Sequence, residues 1–328
     1  MPITFSFIIP VKPGGYVKAL EALKQLDEDR FPHEVLIAEG RQPSRQRNAA
    51  AGKAEGDILY FLDDDSLLDN DTLTNCTAVM LDPTVAVAGG PSLTPADDSG
   101  LQQLFGAALS SFFGAGGSCN RYRSYGKLRE TTEKELILCN LAIRRDRYLS
   151  AGGLDEQLYP NEENELLDRL EKSGERLMHH PAMAVKRSQR SSLKAFVRQM
   201  FTYGRGRGEQ TLLTKTCSLT SFIPLFFVIY LLLLPLLSVK MLIWKIPLLL
   251  YLFLDLLAVL QALVKWKNPG FVLLFFIFPL MHCSNGVGLL YGLIRRKHVH
   301  EPDLGINIRS WKTKTFKNLT ESSCISNN

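Results

Sequence analysis

Short apolar runs at Phe5 to Pro10 and Glu34 to Ala38 flank a segment with helical spacing, Tyr16 to Leu26. Ser44 to Ala54, rich in Arg and Ala, predicts a second helix, which Gly56 ends before the apolar strand Asp57 to Leu62. Strands alternating with helices in this rhythm predict parallel βαβ units. Leu136 to Ile143 reads as a further buried strand and Gly152-Gly153 as a turn. Glu162 to Lys172 reads as a helix with acidic residues in its first turn, where the macrodipole favours them. Pro95 to Arg129 is rich in Gly, Ser and aromatics without periodicity, which predicts a mobile loop or acceptor-side segment. Beyond residue 220 the pattern changes. Phe222 to Val239, Ile246 to Val264 and Phe271 to Ile294 each approach the roughly 20 apolar residues that a membrane span requires.

Charge sharpens this division. The 328 residues carry 38 basic and 33 acidic side chains, a net +5 too small to mark a nucleic-acid binder by bulk charge. From Phe222 to Ile294 the charged residues are Lys240, Lys245, Asp255, Lys265 and Lys267. The chain therefore divides into a head over 1–210, a membrane region of two or three helices over 222–294 and a polar tail over 295–328. Arg295-Arg296-Lys297 should lie inside, whereas three full spans leaving a cytosolic head would place them outside. Pro235 and the polar His282-Cys283-Ser284-Asn285 mark where straight spanning would fail, and Asp255 is either a functional carboxylate or a partner for a nearby Lys. The six cysteines form no CxxC pair and read as reduced thiols; Met1 to Pro10 reads as a first strand rather than a signal peptide.

Three carboxylates, Asp63-Asp64-Asp65, follow the strand ending at Leu62, the edge of an open parallel sheet where ligands bind. A helix cap would need one Asp, not three. Lys186, Arg187, Arg190, Lys194, Arg198, Arg205 and Arg207 form a basic run with no acid among them, a surface suited to phosphate. Leu193, Phe196, Val197, Met200 and Phe201 recur in it at helical spacing, predicting an amphipathic helix on the cytoplasmic leaflet over about 186–210. Direct substrate contact and membrane adhesion are equally compatible with it. Tyr203 to Gly208 lacks the stacking residues of an RNA-binding repeat. No GxGxxG follows the first strand and no GxxxxGK[ST] occurs, which excludes the dehydrogenase and P-loop kinase patterns.

Several segments, taken in order, resemble the membrane-bound inverting glycosyltransferases of family 2 with a GT-A head. They are Ile8-Ile9-Pro10-Val11-Lys12, Arg47-Asn48-Ala49-Ala50, Gly56 through Asp65, Asn140 to Arg145, Gly152-Gly153-Leu154-Asp155-Glu156, Asn161 to Leu166, and Arg198-Gln199 with Tyr203 to Arg207. The later pieces look most like enzymes that build succinoglycan-type exopolysaccharides. The implied fold is α/β, a nucleotide-diphospho-sugar transferase head with a mostly parallel sheet flanked by helices, followed by C-terminal transmembrane helices.

The resemblance also implies roles. Asp63 and Asp65 would form a DxD pair, Asp63 facing ribose or metal and Asp65 binding Mg²⁺ or Mn²⁺, with Asp64 between them pointing away and least sensitive. Pro10, Lys12 and Glu39 would lie near the nucleoside, and Arg47 near the diphosphate as a charge-assisted donor; a solvated helix face is the alternative for Arg47. Glu163 aligns with the family's general base, but Glu162-Glu163 replaces the usual Glu-Asp, so Glu162 or Glu165 competes for the role. Lys186-Arg187 stands where many relatives carry a His, which puts metal ligation from that side in doubt; His179 and His180 are read as structural. QxxRW is absent, since Met200-Phe201-Thr202-Tyr203 follow Gln199. A single-addition transferase is therefore expected, with Arg198, Gln199, Arg205 and Arg207 meeting the diphosphate or a lipid phosphate.

The implied activity moves a sugar from a UDP- or GDP-linked donor to a lipid-linked acceptor at the cytoplasmic face of the inner membrane, with no nucleic-acid partner. Polyprenyl phosphate as the acceptor, and a non-catalytic GT-A-like scaffold, are the alternatives.

Overall fold

A computed structural model describes residues 2–215, 219–295 and 305–312. In chain order the elements begin with β1 (Phe5–Val11), α1 (Ala19–Leu23), β2 (His33–Glu39), α2 (Pro43–Lys53), β3 (Ile58–Leu62), α3 (Asn70–Met80), β4 (Val85–Gly89) and β5 (Ser92–Leu93). Next come α4 (Gly100–Ser110), α5 (Phe112–Ala115), β6 (Arg129–Glu130), β7 (Asn140–Arg144), α6 (Arg145–Ser150), α7 (Glu162–Lys172), β8 (Arg176–His179) and β9 (Val185–Lys186). The last are α8 (Leu193–Thr214), α9 (Ile223–Lys240), α10 (Ile246–Trp266), α11 (Leu274–Ile294) and β10 (Asn307–Lys312). They form two units. One holds residues 2–95, Asn120–Arg187 and 305–312; the other holds Ala96–Cys119 and 188–295.

The first unit is built on an eight-stranded sheet in the order β10-β2-β1-β3-β7-β4-β8-β6. β2, β1 and β3 run parallel, as the βαβ rhythm predicts, while β7 lies antiparallel between β3 and β4 and makes the sheet mixed. Successive strand residues enter opposite cores. Phe5, Phe7, Ile9, Val35, Ile37, Tyr60 and Leu62 pack on one face, and Ile8, Leu36, Ala38, Leu59 and Phe61 on the other with Leu166, Leu167 and Leu170 of α7. Because both faces are covered, the strands read as continuous apolar runs.

Two segments depart from the sequence-based expectation. Pro95 to Arg129 contains α4, which Ser99 and Gln102 close with a capping box, then α5 and a 3₁₀ turn. Part of the polar tail forms β10, an edge strand antiparallel to β2 with Trp311 packed on the core. The reason is that β10 covers the otherwise open edge of β2 with only two apolar residues, Ile308 and Trp311, which enter opposite cores and form no periodic pattern in their polar surroundings.

In the second unit α8 and α11 run parallel at very close range. A Cβ at Gly204 would lie 2.0 Å from the Asn285 carbonyl oxygen, and one at Gly288 would lie 2.0 Å from that of Phe201. Phe105 of α4 stacks on Phe196 of α8 at 4.1 Å, and His282 Nε2 lies 3.0 Å from the Phe113 carbonyl oxygen. Gly204 and Gly208 thus serve helix contact. Gly288→Val should destabilise the full chain by about 3 kcal/mol, the upper end for overpacking, read as a lowered thermal midpoint in detergent. Three segments, Leu219–Leu237, Leu242–Trp266 and Pro269–Ile294, are long and apolar enough to cross a membrane.

Candidate active site

The parallel strands bring their carboxyl ends to one edge. Pro10 pairs with Ala38 and Val11 with Glu39, and Asp63 follows directly on β3, so Pro10, Lys12, Glu39 and Asp63 to Asp65 share this edge. Pro10 is buried and Lys12 exposed. The Gly14 N–H donates to Glu39 Oε1 at 2.9 Å, and Arg309 of β10 reaches Glu39 Oε2 at 3.3 Å.

Arg47 is buried, not solvated. Its Nη2 lies 2.7 Å from Asp63 Oδ1 and its Nη1 lies 3.2 Å from Glu162 Oε1. Its neighbour Asn48 fixes the glycine turn: Nδ2 donates to the Leu154 carbonyl at 2.8 Å, while Oδ1 accepts from Leu154 N–H at 2.9 Å and from the Tyr148 hydroxyl at 2.6 Å. Gly153 sits at φ +72° and a Cβ there would meet Asn48 Oδ1 at 2.6 Å, so two short motifs far apart in sequence form one clamp.

Glu162 and Glu163 open α7 after Asn161, whose φ of 90° is left-handed, a region Asn tolerates. They face different cations. Glu162 is buried against Arg47; burial and the adjacent Glu163 push its carboxyl well above the ordinary range, against the pull of Arg47. Glu163 Oε1 lies 3.7 Å from Arg121 Nη1. Arg121 is itself fixed by the Lys134 carbonyl at 2.8 Å and by Asn164 Oδ1. Glu165 pairs instead with Arg169 at 2.8 Å, one turn along the same helix.

The acidic triplet is closed by Arg187, which the sequence places in the basic run and where many relatives carry a His. Arg187 Nε lies 2.7 Å from Asp65 Oδ1 and Nη2 lies 3.0 Å from Asp63 Oδ2. Burial would lower the Arg187 pKa, but Asp63 and Asp65 hold it firmly protonated. Asp64 is half-buried and its carboxyl is raised by burial and by its two acidic neighbours, while its backbone oxygen accepts from Ala19 N–H at 2.9 Å. Arg121 and Arg187 both gather carboxylates without belonging to any periodic pattern, so nothing in their spacing announces them.

The basic run divides accordingly. Lys186 ends β9 and Arg187 belongs to the triplet, whereas α8 starts at Leu193. On α8, Gln199 donates to the Tyr203 hydroxyl at 2.7 Å, Arg205 lies 3.6 Å from Glu209, Arg207 donates to Gln210 at 3.1 Å and Arg198 is exposed. His179 Nε2 lies 3.3 Å from the Asn120 carbonyl oxygen, and His180 Nδ1 accepts from Ala182 N–H at 3.1 Å.

Removing Arg47 strips the guanidinium from a buried carboxyl. Arg47→Ala should cost about 3 kcal/mol, the lower end for breaking a buried pair, because Asp63 keeps Arg187 and Glu162 can take up a proton. Chemical denaturation of the full chain in detergent measures it.

A model of the glycosyl transferase family group 2 matches residues 58–282. The chain belongs to this family. The match spans β3, the acidic triplet, α7 and most of the apolar helices, and the protein is accordingly a glycosyltransferase with a GT-A-like mixed α/β sheet. Among solved structures, the chain is similar to a mannosyltransferase from Pyrobaculum calidifontis in complex with GDP-Man and Mn²⁺, with 13% identity, 90% of this chain and 89% of that one covered, and a TM-score of 0.52. It also matches TarS 1–349 of S. aureus in complex with UDP, at 14% identity over 62% of this chain and 65% of that one, with a TM-score of 0.40. No curated protein matches the sequence significantly.

Proposed function

We propose that this glycosyltransferase moves a single sugar, with inversion, from a UDP- or GDP-linked donor to a lipid-linked acceptor at the cytoplasmic face of the inner membrane. The observation that carries the reading is the continuous chain of ion-pair and hydrogen-bond contacts at the sheet edge: Asp65, Arg187, Asp63, Arg47 and Glu162, with Glu163 next in sequence. Carboxylates and guanidinium groups interleaved in this way suit a nucleoside diphosphate, whose clustered negative charge needs cations on one side and a base on the other.

The donor set suits a hard divalent cation such as Mg²⁺ or Mn²⁺. Asp63 and Asp65 offer carboxylate oxygens, and among the described residues no third His, Cys, Asp or Glu joins them as a ligand cluster. Such a pair, completed by water and phosphate oxygens, is how Mg²⁺ is usually held. The bound ion would supply Lewis-acid stabilisation of the leaving diphosphate. The Pyrobaculum calidifontis enzyme, whose structure contains GDP-Man and Mn²⁺, is consistent with that choice.

The protein's own groups do the rest. Pro10, Lys12 and Glu39 border the nucleoside, Arg47 and Arg187 neutralise phosphate, and Glu163 accepts the proton of the acceptor hydroxyl. Arg198, Gln199, Arg205 and Arg207 on α8 would meet the phosphate of the lipid-linked acceptor. The 1–210, 222–294 and 295–328 division assigns catalysis to the first part and anchoring to the second.

The test combines binding and product analysis on the detergent-purified full chain. One nucleotide among UDP, GDP, dTDP and CMP should bind with Mn²⁺, and the matching sugar should appear on a lipid-linked glycan. Transfer to polyprenyl phosphate alone would replace the acceptor assignment. Nucleotide binding without any transfer would leave a scaffold role.

A further inference from the structure

The three apolar segments, all long enough to cross a membrane, lie between two parts of the first unit. The chain leaves the first unit at Arg187, which follows β9 of a two-stranded sheet with β5 and donates its backbone N–H to the Leu93 carbonyl at 3.0 Å. It returns at β10, which pairs with β2 from Asn307↔Glu39 to Lys312↔Glu34. Both ends of the intervening region are thus on the same side of any bilayer. Residues 296–304, Arg-Lys-His-Val-His-Glu-Pro-Asp-Leu, are too few and too polar to make a crossing. The number of crossings between Arg187 and β10 is therefore even.

We infer that α9 and α10 cross as a hairpin, whereas α11 lies in the headgroup region beside α8. α10 folds back along α9: Phe227 stacks on Tyr251 at 4.4 Å, and the Tyr230 hydroxyl donates to the Trp244 carbonyl at 2.7 Å. Their candidate spans are the more lipid-like, with mean hydropathies of 2.3 and 2.2 and only 11% and 22% of residues buried in the protein. For the segment containing α11 the values are 1.7 and 44%. The depth of α11 is set by its neighbour. α8 carries Lys194, Arg198, Arg205, Arg207 and Glu209, a charge load too costly for the bilayer centre. The close approaches at Gly204 to Asn285, Gly208 to Leu289 and Gly292 to Arg205 lock α11 parallel to it over several turns. Asn285 Nδ2 also donates to the Met200 carbonyl, and His282 reaches the Phe113 and Gly114 carbonyls, so the polar half-turn that disqualifies α11 as a straight span is occupied by neighbouring backbone. The end of α11 at Arg295 then lies on the catalytic side, in accord with the bias of basic residues towards the inside. In the functional reading above, this arrangement places the arginines of α8 at the level where a lipid-linked acceptor presents its phosphate.

The experiment uses the full chain in vesicles with Cys217, Cys283 and Cys324 replaced by serine; the remaining thiols, Cys76, Cys119 and Cys139, are buried. Spin labels go on exposed positions through Phe276→Cys, Val287→Cys and Ile294→Cys in α11 and Phe253→Cys in α10. Labels on α11 should all lie about 5–10 Å below the headgroups, and the α10 label should be deep. Lys245→Cys in the α9–α10 turn should react with an impermeant maleimide only from the side opposite reporters fused to the N- and C-termini. Reporters on opposite sides, a depth profile along α11 that passes through the bilayer centre, or Lys245→Cys reacting from the reporter side would each overturn the inference. None of these readouts depends on transfer, so failure of the glycosyltransferase assay leaves the topology result standing, and the reverse also holds.

Discussion

Asp65→Asn is expected to lower metal-supported sugar transfer on the order of a thousandfold, about 4 kcal/mol of transition-state stabilisation, with the fold retained. Retention follows from the geometry, because Arg187 still holds Asp63 at 3.0 Å and Arg47 holds it at 2.7 Å. The same geometry predicts the behaviour of the nucleotide-free protein. Arg187 occupies one oxygen of each member of the Asp63 and Asp65 pair, so added Mn²⁺ must compete with a guanidinium. Arg187→Gln should therefore tighten Mn²⁺ binding in the absence of nucleotide by about tenfold, the equivalent of about 1.4 kcal/mol of competing ion-pair energy. Loss of the free Mn²⁺ electron-resonance signal on titration measures this without turnover. Equal affinity in wild type and Arg187→Gln would mean that the guanidinium does not oppose the ion.

What the sequence could and could not disclose follows from the range of the interactions. β1 to β3 are legible because both faces of each strand are buried, which leaves unbroken apolar runs punctuated by Pro10, Gly56 and the acidic triplet. α7 is legible to the residue because its acids and leucines keep helical phase. β7 is shorter than its apolar run, because Leu136 to Cys139 are buried as an irregular approach to the strand and not by pairing. Periodicity reports burial and cannot tell these apart. Asn48 and Gly153 resemble two unrelated motifs until the fold places a carboxamide oxygen 2.6 Å from the position of the missing Cβ. Arg121, Arg187 and β10 depend on partners far away in sequence, respectively Glu163, the acidic triplet and the open edge of β2. Local pattern carries no trace of such partners.

Glu163→Gln should reduce kcat by about 10² to 10⁴, the usual contribution of a general base, while nucleotide affinity stays within a factor of about two. Glu162→Gln should behave differently. Glu162 is sealed against Arg47, and a carboxyl whose pKa is raised by burial is a poor match for a base that must arrive deprotonated. Its raised pKa has a consequence for stability whose sign is fixed. The native state holds the Glu162 proton more tightly than the unfolded chain, whose carboxyl titrates near pH 4.3. The resulting stabilisation is complete below that pH and is lost as pH rises through the folded-state value. Gln cannot ionise, so Glu162→Gln should gain stability relative to wild type as pH is raised from 5 to 8, read from thermal midpoints. If instead Glu162→Gln abolishes transfer and Glu163→Gln leaves kcat intact, the base is the inward carboxylate, and Arg47 must supply the charge that keeps it ionised.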